Sequence, residues 1–149
     1  MSSTYSNMYF HIIFSTKNRI KFINDDLDSR LYPYLCGIAN NNDFKILDAN
    51  GTKDHCHALL SLKPALSISK TMQLIKGGSS KWIHDTCLDL KNFSWQEGYA
   101  VFTVSESQIG KVRSYIGKQK EYHKKISSKD ELRELLEMNN IEYNEKYFV

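Results

Sequence analysis

The stretch from Phe44 to Leu62 restricts the fold more than any other part of this chain. Two short runs with strand character, Phe44 to Ala49 and His55 to Leu62, flank Asn50-Gly51, a pair favoured in tight hairpin turns because both residues tolerate positive φ. The expectation is an antiparallel strand pair. Side chains alternate faces along a strand, so His55 and His57 share one face with Leu59 and Ser61. Cys56, Ala58, Leu60 and Leu62 form an apolar opposite face suited to lying under helices. Two imidazoles on one face make a bidentate clamp for a divalent metal. The plainer alternative is a polar patch on a half-exposed strand.

Around this pair the periodicity supplies the other elements. Tyr9 to Ser15 is an aromatic and β-branched run that ends in polar Thr16-Lys17-Asn18-Arg19, as a buried strand leaving the core does. Its His11 reads as a packed or hydrogen-bonded core histidine rather than a ligand. Asp25-Asp26 is placed to cap a helix with Leu27, Leu31, Tyr34, Leu35 and Ile38 at helical spacing, and Pro33 predicts a kink near Leu31 or a later start. Ser67 caps a second helix, with Ile68, Met72 and Ile75 inward. Gly77-Gly78 predicts either a bend or a close backbone approach within it. Tyr99 to Val104 is the fourth strand, and a third helix begins near Ser105 to Ser107 with Ile109, Val112 and Ile116 inward. Lys129 to Met138 is another amphipathic helix, followed by an aromatic tail.

The order strand, helix, strand, strand, helix, strand predicts an α+β, ferredoxin-like split βαβ sandwich. Its antiparallel four-stranded sheet carries helices on one face, plus a C-terminal helix. A chain of 149 residues suits a single domain over 1–149, with 127–149 as C-terminal helix and tail. Three widely spaced cysteines with no CxxC pair argue against a disulfide framework and a cysteine zinc site, and fit a reducing compartment. Met1 to Asn7 has neither the basic nor the apolar region of a signal peptide, and no eighteen apolar residues run together, so the expectation is a cytoplasmic protein without membrane association. A net charge of +3 permits a polyanionic partner without requiring one.

The third helix carries the second candidate chemistry. Tyr115 and Gln119, four apart, would place a phenol and an amide carbonyl on neighbouring turns of one face. Around them stand Lys111, Arg113, Lys118, Lys120, Lys124 and Lys125, the densest basic cluster in the chain. That cluster reads either as a nucleic-acid surface or as an ordinary solvated face.

Four ordered motifs together resemble the HUH-type single-tyrosine transposases of small insertion sequences and their REP-associated relatives. They are Asp54-His55-Cys56-His57, Leu74 to Ser80, Trp95-Gln96-Glu97-Gly98-Tyr99, and Tyr115-Ile116-Gly117-Lys118-Gln119. The resemblance implies that Tyr115 attacks a phosphodiester of hairpin-bearing single-stranded DNA, forming a 5′-phosphotyrosine and releasing a 3′-OH. It implies one Mg²⁺ or Mn²⁺ on His55, His57 and Gln119, no nucleotide cofactor, and DNA contacts from Lys111, Arg113, Lys118, Lys120, Lys76 and Lys81. A homodimer in which each subunit's tyrosine helix completes the other's histidine site is implied by the transposase branch. REP-associated relatives are more often monomeric, and 127–149 resembles their extended tail. The alternatives are a domesticated nuclease with the same chemistry at chromosomal repeats, and a catalytically inactive single-stranded nucleic-acid-binding module.

Overall fold

A computed structural model describes residues 3–148. Its elements are β1 (Tyr9–Ser15), α1 (Asp25–Asn41), β2 (Lys45–Gly51), β3 (His55–Ser61), α2 (Ile68–Thr86), β4 (Ala100–Val104), α3 (Ile109–Gly117), α4 (Gln119–Tyr122) and α5 (Ser128–Met138). The sheet runs β2-β3-β1-β4 with every neighbouring pair antiparallel, the order of a ferredoxin-like split βαβ unit.

The two faces of the sheet have different jobs because their side chains differ. Ile12, Phe14, Cys56, Ala58 and Leu60 lie beneath Leu27, Leu31 and Leu35 of α1 and Met72, Ile75 and Ile83 of α2. A buried side chain of this size contributes roughly 1.5–3 kcal/mol. This face therefore holds the sheet, leaving the opposite one to accept polar groups. There Ile13, Ala100 and Phe102 pack against Leu132 and Leu136, so α5 covers part of the histidine face.

Several local expectations shift. The side chain of Asn24, not of an aspartate, caps α1 by accepting from the Leu27 N–H at 2.8 Å, and Asp25 and Asp26 occupy its first turn. Pro33 sits inside an unbroken α1. It and Ser29, whose carbonyl loses its partner, are both exposed, so water can serve that carbonyl. Asn50 and Gly51 are not the hairpin turn: they pair with His57 and Cys56, and the chain turns at 52–54. Gly51 is needed for close approach, since a Cβ there would collide with the His55 carbonyl and lie 3.0 Å from Cys56 Cα. In α2 the close-approach alternative holds, because a Cβ on Gly78 would lie 3.0 Å from Ile38 Cδ1 across the contact with α1.

Candidate active site and metal centre

Strand register places the histidines. In β3, His57 lies opposite Ile13 and His55 opposite Ser15, which puts both imidazoles on the face away from α1 and α2. α3 ends at Gly117, so Tyr115 and Gln119 do not share one continuous helix; Gln119 opens α4. Asn50 of β2 secures the junction, its Nδ2 donating to the carbonyls of Ile116 at 3.1 Å and Gly117 at 3.3 Å. Gln119 is thereby turned under the sheet and fully buried.

Two residues not singled out from sequence complete the cluster. Glu131 of α5 and His123, just after α4, meet the histidine pair, and ligand atoms of His55, His57, His123 and Glu131 all lie within 4.8 Å of one another. Glu131 Oε1 is 2.8 Å from His57 Nε2, 3.1 Å from His123 Nε2 and 3.4 Å from His55 Nε2. Glu131 Oε2 accepts from Gln119 Nε2 at 3.0 Å and from the Tyr115 hydroxyl. His55, His57, Gln119 and Glu131 are each at most 1% exposed. His11 is buried, as expected of a core histidine, and its Nε2 lies 2.7 Å from His57 Nδ1. A cleft of about 340 Å³ opens onto Tyr115 and Glu131, bordered by Lys111, Tyr122 and Met138.

The hydrogen-bond partners fix what this cluster can hold. His123 Nδ1 is 2.7 Å from the Ile126 carbonyl, which only accepts, so that nitrogen carries the hydrogen. His55 Nδ1 is 2.8 Å from Asp54 Oδ1, with the same result. The Nε2 lone pairs of both neutral rings then face Gln119 Oε1, at 3.1 and 2.9 Å, and Glu131 Oε1. Acceptors converging on one another require positive charge among them. A proton on His55 supplies part of it, or one divalent ion balances the Asp54 and Glu131 carboxylates, and a carboxylate or carbonyl at Nδ1 is the usual support of a metal-ligating Nε2 atom. The donor set fits a divalent metal.

In the metal-free arrangement the His55 proton does this work. Burial opposes charge on His55, but hydrogen bonds to Asp54 and Glu131 outweigh it and lift its pKa to about 9. Burial dominates at His57 and pushes it down to about 4 despite Glu131. The Glu131 carboxyl, though buried, is held far below the usual carboxylate range by hydrogen bonds from His123, His55 and His57. Burial and the bond to Glu131 push the Tyr115 phenol well above its ordinary value.

The basic residues divide between several places. Lys111 borders the cleft beside Tyr115, and Lys118 is exposed at the end of α3. Arg113 Nε stands 3.8 Å from Asp48, and Lys120 donates to Asn50 Oδ1 at 2.7 Å while pairing with Asp28 at 3.1 Å. Lys76 donates to the carbonyls of Gln96 and Gly98 at 2.6 and 2.7 Å, and Trp95 Nε1 donates to buried Ser79 at 3.0 Å. The second and third sequence motifs thus meet as a tether between α2 and the entry to β4. Lys81, also on α2, pairs with Asp85.

The sequence pattern of the family described as "Transposase IS200 like" matches residues 4–119. The transposase for insertion sequence element IS200 of Salmonella typhimurium is 30% identical over 129 residues, covering 83% of this chain and 84% of that protein. The ISDra2 transposase TnpA of Deinococcus radiodurans is 27% identical over 115 residues, covering 74% and 82%. Among solved structures, a candidate transposase of Deinococcus radiodurans R1 superposes with a TM-score of 0.67 at 26% identity, over 80% of this chain and 95% of that one. A REP-associated tyrosine transposase bound to a REP hairpin superposes at 0.61 and 17% identity, over 83% and 74%, a likeness of fold. Motifs, fold and these matches agree: the chain belongs to the IS200-like transposase family, whose members bind and recombine DNA.

Proposed function

We propose that this protein cleaves and rejoins hairpin-bearing single-stranded DNA through a covalent bond to Tyr115. One observation carries the reading: residues 58 positions apart converge, the Tyr115 ring lying 5.8 Å from that of His57 with Glu131 bridging the two side chains. Tyr115 Oη attacks the scissile phosphorus and gives up its proton, the bond from phosphorus to the 3′ oxygen breaks, and that oxygen leaves as a 3′-OH. The 5′-phosphotyrosine retains the energy of the bond, so rejoining requires no nucleotide cofactor. His55, His57 and Gln119 would hold one divalent ion, Mg²⁺ or Mn²⁺, which would polarise the phosphate and stabilise charge on the transferring group. Gln119 and His57 are held rigidly by burial, and Lys111 borders the cleft through which a strand reaches the phenol. Burial and the hydrogen bond to Glu131 leave Tyr115 poorly ionised, so productive attack requires these surroundings to change.

The test is incubation with labelled single strands from DNA flanking the gene, with and without Mn²⁺ or Mg²⁺, followed by denaturing electrophoresis. A metal-dependent adduct absent in Tyr115→Phe is expected; hairpin binding without any adduct refutes the reading in favour of an inactive binding module. The same chemistry at scattered chromosomal palindromes is the second reading, favoured by α5 and the tail, which extend beyond the matched stretch. Within one chain Tyr115 meets its own histidines, and a homodimer would form the same site by exchanging the tyrosine helices between subunits. Mixed Tyr115→Phe and His57→Ala chains should then form an adduct, through the site that joins an intact tyrosine to an intact histidine pair, whereas no adduct would show that each chain uses its own tyrosine.

A further inference from the structure

The convergence of three Nε2 atoms on one carboxylate oxygen points to His123 and Glu131 as metal ligands, making a three-imidazole, one-carboxylate centre with His55 and His57 that takes a transition ion in preference to Mg²⁺. This rests on the metal site proposed above and narrows the ion it accepts. Both added residues lie beyond the stretch matched to the family, which ends at 119, so the chain's own C-terminal segment supplies them.

Three observations support it. The Nε2 atoms of His55, His57 and His123 approach a common point from β3 and from the chain just after α4, at 2.8–3.4 Å from Glu131 Oε1. Each ring has its Nδ1 engaged away from that point: His55 by Asp54, His57 by His11 and His123 by the Ile126 carbonyl. For His55 and His123 that is the outer support that holds an imidazole in the tautomer with Nε2 free to ligate, and His57 takes the same tautomer when His11 Nε2 is the acceptor. The rings are also buried or nearly so, which makes an uncompensated set of acceptors costly without a cation.

The donor set selects the ion. Three imidazole nitrogens and one carboxylate oxygen suit Zn²⁺ and, more weakly, Mn²⁺, whereas Mg²⁺ favours oxygen ligands in octahedral array and keeps several waters. Gln119 Oε1, a ligand of the site proposed above, also faces the Nε2 atoms of His55 and His123, at 3.1 and 2.9 Å, so His123 and Glu131 would join that set rather than replace it. A phosphate oxygen would then compete with Glu131, which also holds the nucleophile's hydroxyl.

The test is calorimetric titration of the full chain, stripped by chelator and free of DNA, with Zn²⁺, Mn²⁺ and Mg²⁺. One ion per chain is expected, with affinity falling in that order. Glu131→Gln and His123→Ala should each weaken Zn²⁺ by more than the ~100-fold that loss of an outer support costs. If both variants bind Zn²⁺ like the parent while His57→Ala does not, the two-histidine site stands and this inference falls. If the parent binds no ion, both fall. A measurement on the unaltered protein guards against misfolded variants: the Co²⁺-loaded chain should show three paramagnetically shifted, exchangeable imidazole N–H resonances, and two would overturn the assignment.

Discussion

Raising the pH on the metal-stripped chain should unfold it more readily, and the arrangement around His55 sets by how much. Its ring is buried between Asp54 and Glu131 and holds a proton up to about pH 9, against 6.5 for an unconstrained imidazole. Below pH 6.5 the folded and unfolded chains both carry that proton and the stabilisation is fully present. Above 6.5 the unfolded chain releases it first, so stability falls until the folded ring also loses it near 9. At 1.36 kcal/mol per pH unit the interval is worth about 3 kcal/mol, a property of the coupled cluster rather than of His55 alone. The acid side has the opposite sign. His57 stays neutral down to about 4 and His11 to about 3, both because of burial, so the unfolded chain gains protons first as pH drops below 6.5. Stability should therefore peak near pH 6.5. Urea unfolding followed by the fluorescence of Trp82 and Trp95, in chelator, measures it directly. Saturating Mn²⁺ should abolish the alkaline loss, because the ion takes over the charge the proton supplied. Stability that is flat or rising between about pH 7 and 9.5 in the stripped chain would refute the reasoning.

Other perturbations test separate parts of the argument. Gly51→Ala forces a Cβ against the His55 carbonyl and Cys56 Cα, so it should destabilise the chain by several times the ~1 kcal/mol typical of point substitutions, read as a lowered urea midpoint. Leu132→Ala empties a nearly fully buried position between α5 and the sheet and should cost about 2–4 kcal/mol, with faster amide exchange in α5 than in α1. Lys111→Ala should weaken single-strand binding and lower the slope of log affinity against log salt by about 0.7, as loss of one phosphate contact does. Lys76→Ala should instead act on stability, because its ammonium is committed to the Gln96 and Gly98 carbonyls; an equal change in salt slope would contradict that.

Alternation and helical spacing made the sheet, α1, α2 and the common face of His55 and His57 legible, since those signals depend on neighbours two to four residues away. Where a local rule competed with packing, packing decided. Asn50-Gly51 has the composition of a turn, yet Gly51 serves close contact between strands and Asn50 holds the end of α3. Gln119 follows the break at Gly117, so its presence in the site comes from that junction rather than from shared helical phase with Tyr115.

Glu131 and His123 were hidden for a different reason. On sequence alone, Glu131 is one acid among several in an amphipathic helix, and nothing local says which face of α5 meets the sheet. Leu132 and Leu136 decide it by packing on Ile13, Ala100 and Phe102, which rotates Glu131 inward against the histidines. The available signal was that α5 is apolar enough to bury a face while α1 and α2 already fill one side of the sheet. The remaining apolar surface lay on the histidine face, so a helix docking there brings a polar residue flanking its leucines against the histidine cluster.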